Sequence, residues 1–159
     1  MSMPKRSSSF WWLQIPGWLL LVYLVIAQAI PAFDYEIGVR MGTQEPASRI
    51  TEVGVAFWYG FAVGDLLVYI PLFALGLVGQ LLDKSWWRVT MAAALGITIY
   101  WPVVCLVAVA DARDAIGWDI DDRAYWIVLP LIAIWGLWGF LDIARYGPSG
   151  YKAGSYSRG

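Results

Sequence analysis

The sequence predicts an all-α, polytopic membrane protein with four transmembrane helices and both termini on the same side of the membrane. Hydrophobic residues make up 60% of the 159 residues and the mean hydropathy is +0.60, values that are rare in a soluble domain. The apolar residues fall in four runs, each as long as the roughly 20 residues that a bilayer-spanning helix needs. The segments between these runs hold most of the charged residues.

A single transmembrane domain is predicted at 11–145. Its first apolar run is too long for the hydrophobic region of a signal peptide, and no small-residue cleavage site follows a shorter stretch, so this run is predicted to be a retained helix. Polar tails rich in Ser and Gly, expected to be flexible, flank the domain at 1–10 and 146–159. The four helices are predicted at 11–33, 54–82, 86–110 and 124–141.

Charge predicts the orientation. The side that carries the termini has seven of the 11 Lys and Arg residues, so the positive-inside rule predicts cytoplasmic termini. Tryptophans near both ends of the predicted helices are typical of aromatic belts at the two membrane surfaces. The connection at 83–85 is so short that the second and third helices must be antiparallel neighbours. The sequence does not indicate which membrane holds the protein.

Composition also excludes several kinds of functional site. The chain has no histidine, so histidine-dependent triads and zinc sites are not expected, and its one cysteine, Cys105, excludes a disulfide framework. The acidic stretch 111–122 lacks the register and closing Glu of a calcium loop, so no metal is predicted. A net charge of -1 gives no basic surface for nucleic acid. No cofactor is expected.

The stretch VGDLLVYIP, 63–71, places a carboxyl group deep in the predicted membrane. Asp65 lies about 11 residues into the second predicted helix, or about 16 Å at 1.5 Å per residue, near the middle of a core about 30 Å thick. An Asp at the centre costs roughly 2.5 to 3.5 kcal/mol on insertion scales. We therefore expect Asp65 to face the bundle interior and to mark a functional site. No Lys or Arg lies at matching depth, so its partner is a proton, a hydroxyl donor, water or a ligand cation.

Tyr69 lies on the same helix face as Asp65, four residues on, and could donate a hydrogen bond to it. The alternative interpretation is that Tyr69 or Thr98 satisfies Asp65 and that the carboxyl only holds helices together. Gly60 and Gly64 form a small-xxx-small pair that predicts close helix packing.

Prolines and aromatic residues predict a pocket near this depth. Pro71, Pro102 and Pro130 are expected to kink the second, third and fourth helices and to leave room inside the bundle. Trp101 and Trp126 lie close to two of these kinks. Aromatic faces beside a buried carboxylate suit a hydrophobic amine, and ordinary aromatic packing is the alternative.

These residues resemble the EXPERA family, four-helix membrane proteins of the sigma-two receptor and emopamil-binding protein type. The resemblance covers roughly 17–145 and consists of spacing at low sequence identity. The family's helix-two acid with a proline six residues later falls on Asp65 and Pro71, and its acid at the end of helix one falls on Asp34. Two further pairs correspond to family positions, namely Pro102 with Asp111, and Trp126 with Pro130.

The resemblance implies an intramembrane acidic pocket in which Asp34 and Asp65 contact a sterol-like or cationic amphiphilic ligand. From its position alone, Asp34 is an interfacial residue at the end of the first helix. The isomerase branch of the family uses a His and Glu residues, and this chain has no His. The ligand-binding set expected here is Asp34, Asp65, Tyr69, Thr98, Trp101 and Trp126.

Four functions stay open at this stage. The first is a membrane binding protein for a hydrophobic or cationic amphiphilic ligand. The second is a double-bond isomerase that uses Asp34 and Asp65 as acid and base. The third is an accessory subunit of a larger membrane complex. The fourth is a transporter, which would need a homodimer, with the Gly60–Gly64 face as its seam. The expected partners are the lipid bilayer and a hydrophobic small molecule.

Overall fold

The computed structural model describes residues 8–145, and no strand occurs in that range. Four helices are long and apolar enough to cross a membrane, which confirms the predicted all-α class and the number of spans. The side that the termini face stays a prediction. The predicted tails lie outside the described residues, except that 8–10 belong to the first helix. The helices are α1 (Ser8–Phe33), the short α2 (Tyr35–Met41), α3 (Ala47–Leu81), α4 (Trp87–Ala112) and α5 (Arg123–Arg145).

The segment between the first two spans is mostly helical, where the sequence suggested a loop. The side chain of Asp34 accepts hydrogen bonds from the backbone N–H groups of Glu36 (3.0 Å) and Ile37 (3.3 Å), and this cap starts α2. Gly42 ends α2 in the left-handed conformation, at φ 72°. The second span begins at Ala47, directly after Pro46, rather than at residue 54.

Two prolines are accommodated by wider helical turns. Val25–Ala29 in α1 and Asp65–Tyr69 in α3 are π-helical, and each is followed by an Ile-Pro pair. Proline lacks an N–H and its ring crowds the carbonyl one turn earlier, so a π turn takes up the mismatch. The kink predicted at Pro71 is therefore a widening of α3 that starts at Asp65. Pro102 and Pro130 lie inside continuous α-helical segments.

The apolar core lies between α1, α3, α4 and α5, toward the end of the bundle away from α2. It includes Leu13, Phe73 and Leu95, all nearly inaccessible to solvent. Helices α3 and α4 approach closely at Gly76, where an added Cβ would lie 2.9 Å from the Cα of Met91. These two helices pack against each other, as their short connection predicts.

Gly60 and Gly64 do not contribute to this packing. Both are exposed, and a Cβ added at either would meet no atom within 4 Å in the described part of the chain. The prediction that this pair brings helices of the bundle together is therefore wrong, because the pair faces outward. Gly136 on α5 does lie close to a neighbour, since its added Cβ would be 3.0 Å from the Cγ2 of Thr98.

Backbone strain is concentrated at the start of α3. Thr51 has φ 67° and ψ 167°, a region populated essentially by glycine. Two hydrogen bonds hold the segment next to Thr51 in place. The backbone N–H of Asp119 donates to the carbonyl of Arg49 (2.8 Å), and Nε of Arg49 donates to the carbonyl of Asp119 (2.8 Å). The loop before α5 is thus tied to the beginning of α3.

We expect Thr51→Gly to raise the free energy of unfolding by about 1 kcal/mol. It would relieve about 1 to 3 kcal/mol of backbone strain in the folded state. The greater freedom of glycine in the unfolded chain would offset up to about 1 kcal/mol of this gain. It would also lose the weak cap from Thr51 Oγ1 to the Gly54 N–H (3.4 Å), worth a few tenths of a kcal/mol. SDS unfolding titrations in mixed micelles measure the change. The matched control, Ala56→Gly on the exposed face of α3, should destabilise by about 1 kcal/mol. If both variants lost the same free energy of unfolding, the conclusion that the backbone is strained at Thr51 would be contradicted.

Candidate functional site

A cavity of about 420 Å³ lies at the end of the bundle that carries α2 and the acidic loops. This volume falls within the roughly 300 to 1,000 Å³ of typical small-molecule sites. Helix α1 contributes Tyr23 and Gln28 to its wall, α4 contributes Trp101 and Cys105, and α5 contributes Tyr125. All four spanning helices reach the cavity, because Trp58 of α3 lines it as well.

The wall is rich in aromatic side chains that carry a polar atom. Trp58 and Tyr125 close one side, with ring centroids 6.3 Å apart. Trp101 and Tyr23 add two more such rings. Side chains of this kind offer large apolar area and one hydrogen-bonding group each. The cavity therefore suits a guest that is mainly apolar with a small polar part.

Two buried polar atoms of the cavity residues have no hydrogen-bond partner in the described part of the chain. They are Oε1 of Gln28, an acceptor, and Nε1 of Trp101, a donor. The Trp101 indole lies near the hydroxyl of Tyr69 but outside hydrogen-bond geometry. Each unsatisfied buried group costs about 1 to 3 kcal/mol. Neither atom is accessible to a water-sized probe, so neither faces the open volume of the cavity.

Polar contacts frame the mouth of the cavity. Nε2 of Gln44 donates to the carbonyl of Ala27, within the π turn of α1 (2.7 Å), and the Tyr35 hydroxyl donates to the carbonyl of Glu45 (2.9 Å). Burial, with added repulsion from the Glu45 charge, raises the pKa of Tyr35 to about 12. Tyr35 therefore stays a neutral hydrogen-bond donor, and the segment after α2 is fastened over the cavity.

The two acids at the mouth are paired with arginines. Glu45 forms an ion pair with Arg49 (3.0 Å), and Asp121 forms one with Arg123 (2.6 Å). Hydrogen bonds from Arg123 lower the pKa of Asp121 to about 2, so this carboxylate stays charged across the physiological range. The mouth therefore carries balanced charge.

Asp65 is buried beside the cavity, with 9% of its surface exposed. Its carboxyl group is close enough to the Tyr23 hydroxyl and the Cys105 thiol, both on the cavity wall, to influence them electrostatically. Within residues 8–145, this carboxyl has no ion pair and no hydrogen-bond partner. Asp65 faces the bundle interior, as its depth in the sequence predicts.

Tyr69 and Thr98 hold two helices together and do not satisfy Asp65. The Thr98 hydroxyl donates to the carbonyl of Ala94 (2.8 Å), so in the 2.6 Å bond between Tyr69 and Thr98 the tyrosine is the donor. Both side chains are almost fully buried, and neither lines the cavity. The alternative in which these hydroxyls satisfy the carboxyl is therefore not the arrangement observed.

Asp34 and Trp126, also expected at the site, lie elsewhere. Asp34 is exposed and caps α2, as described above. Trp126 is 44% exposed and donates from Nε1 to a carboxylate oxygen of Asp122 (3.1 Å). Neither residue lines the cavity. Of the six expected binding residues, the structure places Trp101 on the cavity wall and Asp65 next to it.

Sequence reasoning missed several cavity residues. Gln28 carried a usable signal, because it is a polar residue within an apolar run, as Asp65 is. Tyr125 precedes Trp126, and one step along a helix turns a side chain by about 100°, which changes the face it occupies. Only the packed helices show which of two adjacent aromatic residues faces inward.

Comparisons with known proteins gave no match to a protein-family model, to a curated protein or to a solved structure. The fold and the site define the class of protein: an integral, multi-pass membrane protein with a cavity of small-molecule size at one end of its helices.

We expect Tyr69→Phe and Thr98→Val to be coupled in stability. A double-mutant cycle of unfolding free energies should give a coupling of about 0.6 kcal/mol, the average for hydrogen bonds between membrane helices, and at most about 1.7 kcal/mol. The control cycle pairs Tyr69→Phe with Thr90→Val, whose hydroxyl donates to the carbonyl of Trp87 on its own helix, and should be additive. A coupling near zero for Tyr69 and Thr98 would show that their bond does not join α3 to α4.

Proposed function

We propose that this chain is a membrane binding protein for a hydrophobic, amphiphilic small molecule of sterol-like size. The observation that carries the proposal is the 420 Å³ cavity, to whose wall each of the four spanning helices contributes a Trp or Tyr side chain. A site that is mostly apolar, with a few convergent polar groups, is the usual form of a small-molecule site.

The membrane setting favours an amphiphilic guest. The cavity lies between helices that span an apolar core, so a hydrophobic molecule dissolved in the bilayer is concentrated around its walls. The mouth of the cavity, which Glu45 and Asp121 line, lies at the end of the bundle that carries the hydrophilic loops. An amphiphile would therefore place its polar group at this mouth and its apolar body along the aromatic wall.

Asp65 is the residue that would respond to a cationic ligand. A buried carboxyl without a partner needs either a proton or a cation, because an isolated charge in an apolar interior is costly. Trp101 and Trp58 line the cavity, and the face of a Trp ring attracts a cation. A cationic amphiphile is therefore one of the two ligand classes included in this proposal, and a neutral sterol-like molecule is the other.

Membership of the EXPERA family is also a proposal. Its support is the spacing of Asp65 with Pro71 and of Pro102 with Asp111, together with the presence of four spanning helices. The family acid that falls on Asp34 lies outside the cavity here.

The isomerase alternative needs an acid and a base close to one reacting carbon. Asp34 and Asp65 were the pair expected to supply them, and Asp34 instead caps α2 on the exposed surface. No contact between these two carboxyls supports acid–base chemistry. A homodimer or a larger complex stays a proposal for the outward-facing Gly60–Gly64 surface.

We expect native mass spectrometry of gently purified protein to show a bound molecule of lipid or sterol size. Ala124→Trp, at a small exposed residue that lines the cavity, should reduce its occupancy at least tenfold by filling the space. Ile127→Trp is the matched control, since Ile127 lies on the same helix, is 65% exposed and does not line the cavity. It should leave the occupancy unchanged.

Asp65→Asn separates the two ligand classes in the same experiment. Loss of the adduct would indicate a cationic ligand held by the carboxylate, and retention would indicate a neutral one. If wild type and all variants carry no small molecule but keep a stoichiometric protein partner, the binding proposal fails and the accessory-subunit hypothesis is favoured.

A further inference from the structure

We propose that a groove on the outer face of α1 binds one acyl chain of an anionic phospholipid, whose headgroup lies beside Lys84. The groove has a volume of about 370 Å³ and lies in the half of the bundle away from the cavity. Ile15 and Leu19, which line it, are 57% and 69% exposed, so the groove opens to the surrounding lipid. Leu81, the last residue of α3, lines it at the membrane surface.

The length of the groove matches one leaflet of a bilayer. It follows α1 from Trp11 to Val22, and eleven steps of 1.5 Å give about 16 Å. Half of a hydrocarbon core about 30 Å thick is about 15 Å. Trp11 is 52% exposed near the start of α1, and Trp side chains are typical of the headgroup level. The groove therefore runs from the headgroups to the middle of the membrane, which is the path of a single acyl chain.

The polar side chain in the groove already has its partners. Nε2 of Gln14 donates to the carbonyl of Leu77 (3.0 Å) and to Oε1 of Gln80 (2.8 Å). Oε1 of Gln14 accepts from the indole of Trp18 (2.8 Å). The other residues that line the groove are apolar or aromatic. A hydrocarbon chain therefore suits the groove better than a polar ligand does.

The volume of the groove favours an acyl chain over a helix of another protein. A helix with its side chains is about 10 Å across, so a 16 Å length of it occupies about 1,250 Å³. The groove holds less than a third of this volume. An acyl chain is a single file of methylene groups and can lie along the groove without displacing α1 or α3.

Charge complementarity favours an anionic headgroup. In the sequence, the side of the membrane with the 83–85 turn and both tails carries seven Lys and Arg residues against two acids, Asp83 and Asp142. The opposite side carries four Arg residues against nine acids. Basic residues near a bilayer surface attract anionic lipids. The groove therefore opens toward headgroups at the basic side of the protein.

Lys84 is the basic residue nearest to the groove along α3. Its backbone N–H donates to the carbonyl of Gly79 (2.9 Å), because Asp83 has a left-handed conformation at φ 49° and folds the chain back. Lys84 therefore lies over the last turn of α3, which contains Leu81 of the groove. Within residues 8–145 its ammonium group forms no ion pair. This charge is available to a lipid phosphate.

The test compares two lipids with the same palmitoyl and oleoyl chains, phosphatidylglycerol and phosphatidylcholine. Native mass spectrometry of the full chain in detergent, titrated with either lipid, measures the dissociation constant of the first lipid bound. The wild type should bind phosphatidylglycerol about tenfold more tightly than phosphatidylcholine, because one basic residue near the headgroup contributes about fivefold and the rest of the basic side adds to it.

Two variants assign the headgroup and the chain. Lys84→Gln should reduce the preference for phosphatidylglycerol about fivefold, whereas Arg40→Gln, an exposed position at the acidic end, should leave it unchanged. Leu19→Trp should weaken both lipids at least fivefold by filling the groove. Its matched control is Ile134→Trp on α5, which is 64% exposed and does not line the groove, and which should change neither dissociation constant.

Three results would overturn the proposal. Equal binding of the two lipids, or a preference that Lys84→Gln leaves unchanged, would show that Lys84 does not recognise the headgroup. Equal effects of Leu19→Trp and Ile134→Trp would show that the acyl chain does not lie in the groove. If neither lipid binds and a stoichiometric protein partner is released by Leu19→Trp, the groove is a protein interface.

Discussion

The arrangement of this protein depends on one constraint, which is that backbone polar groups within a bilayer must find partners inside the protein. Proline violates this rule locally, since it removes a donor and crowds a carbonyl. In α1 and α3 a π turn just before an Ile-Pro pair accommodates the proline. Gln28 lies in the first of these turns and Asp65 in the second, and the two turns are in contact. The polar side chains that mark the site are thus carried by the segments where the helices deviate from regular geometry.

The two ends of the bundle differ in how they satisfy polar groups. At the end away from α2, the carboxamide of Gln14 donates to the carbonyl of Leu77 and to the side chain of Gln80, and it accepts from Trp18. This network is complete and joins α1 to α3 within a tightly packed core. At the other end, Oε1 of Gln28 and Nε1 of Trp101 are buried and have no hydrogen-bond partner in the described part of the chain. Glutamine is thus fully hydrogen-bonded at one end of the bundle, at Gln14, and has an unsatisfied buried oxygen at the other, at Gln28.

Hydrogen bonds also hold the segment after α2 over one edge of the cavity. Gln44 donates to a carbonyl of the π turn in α1, and Tyr35 and Arg49 both bond to Glu45, so the segment after α2 is held across the mouth. The strained Thr51 lies beside this segment, where the loop before α5 crosses the start of α3. Strain of this kind persists only where surrounding contacts hold it, and such positions are concentrated at functional sites.

The sequence by itself determined the class of the protein, the four spans and the inward orientation of Asp65, because these depend on hydropathy, length and the cost of exposing a carboxyl to lipid. It also supplied the residue types of the site without their arrangement. Only the tertiary structure decided that Trp101 faces the cavity while Trp126 points to the surface, and that Tyr69 bonds to Thr98 rather than to Asp65. The facing of Trp101 and Trp126 depends on how α4 and α5 are rotated in the packed bundle, and that of Tyr69 on the π turn Asp65–Tyr69 in α3. Sequence periodicity assumes regular turns, so it could not place them.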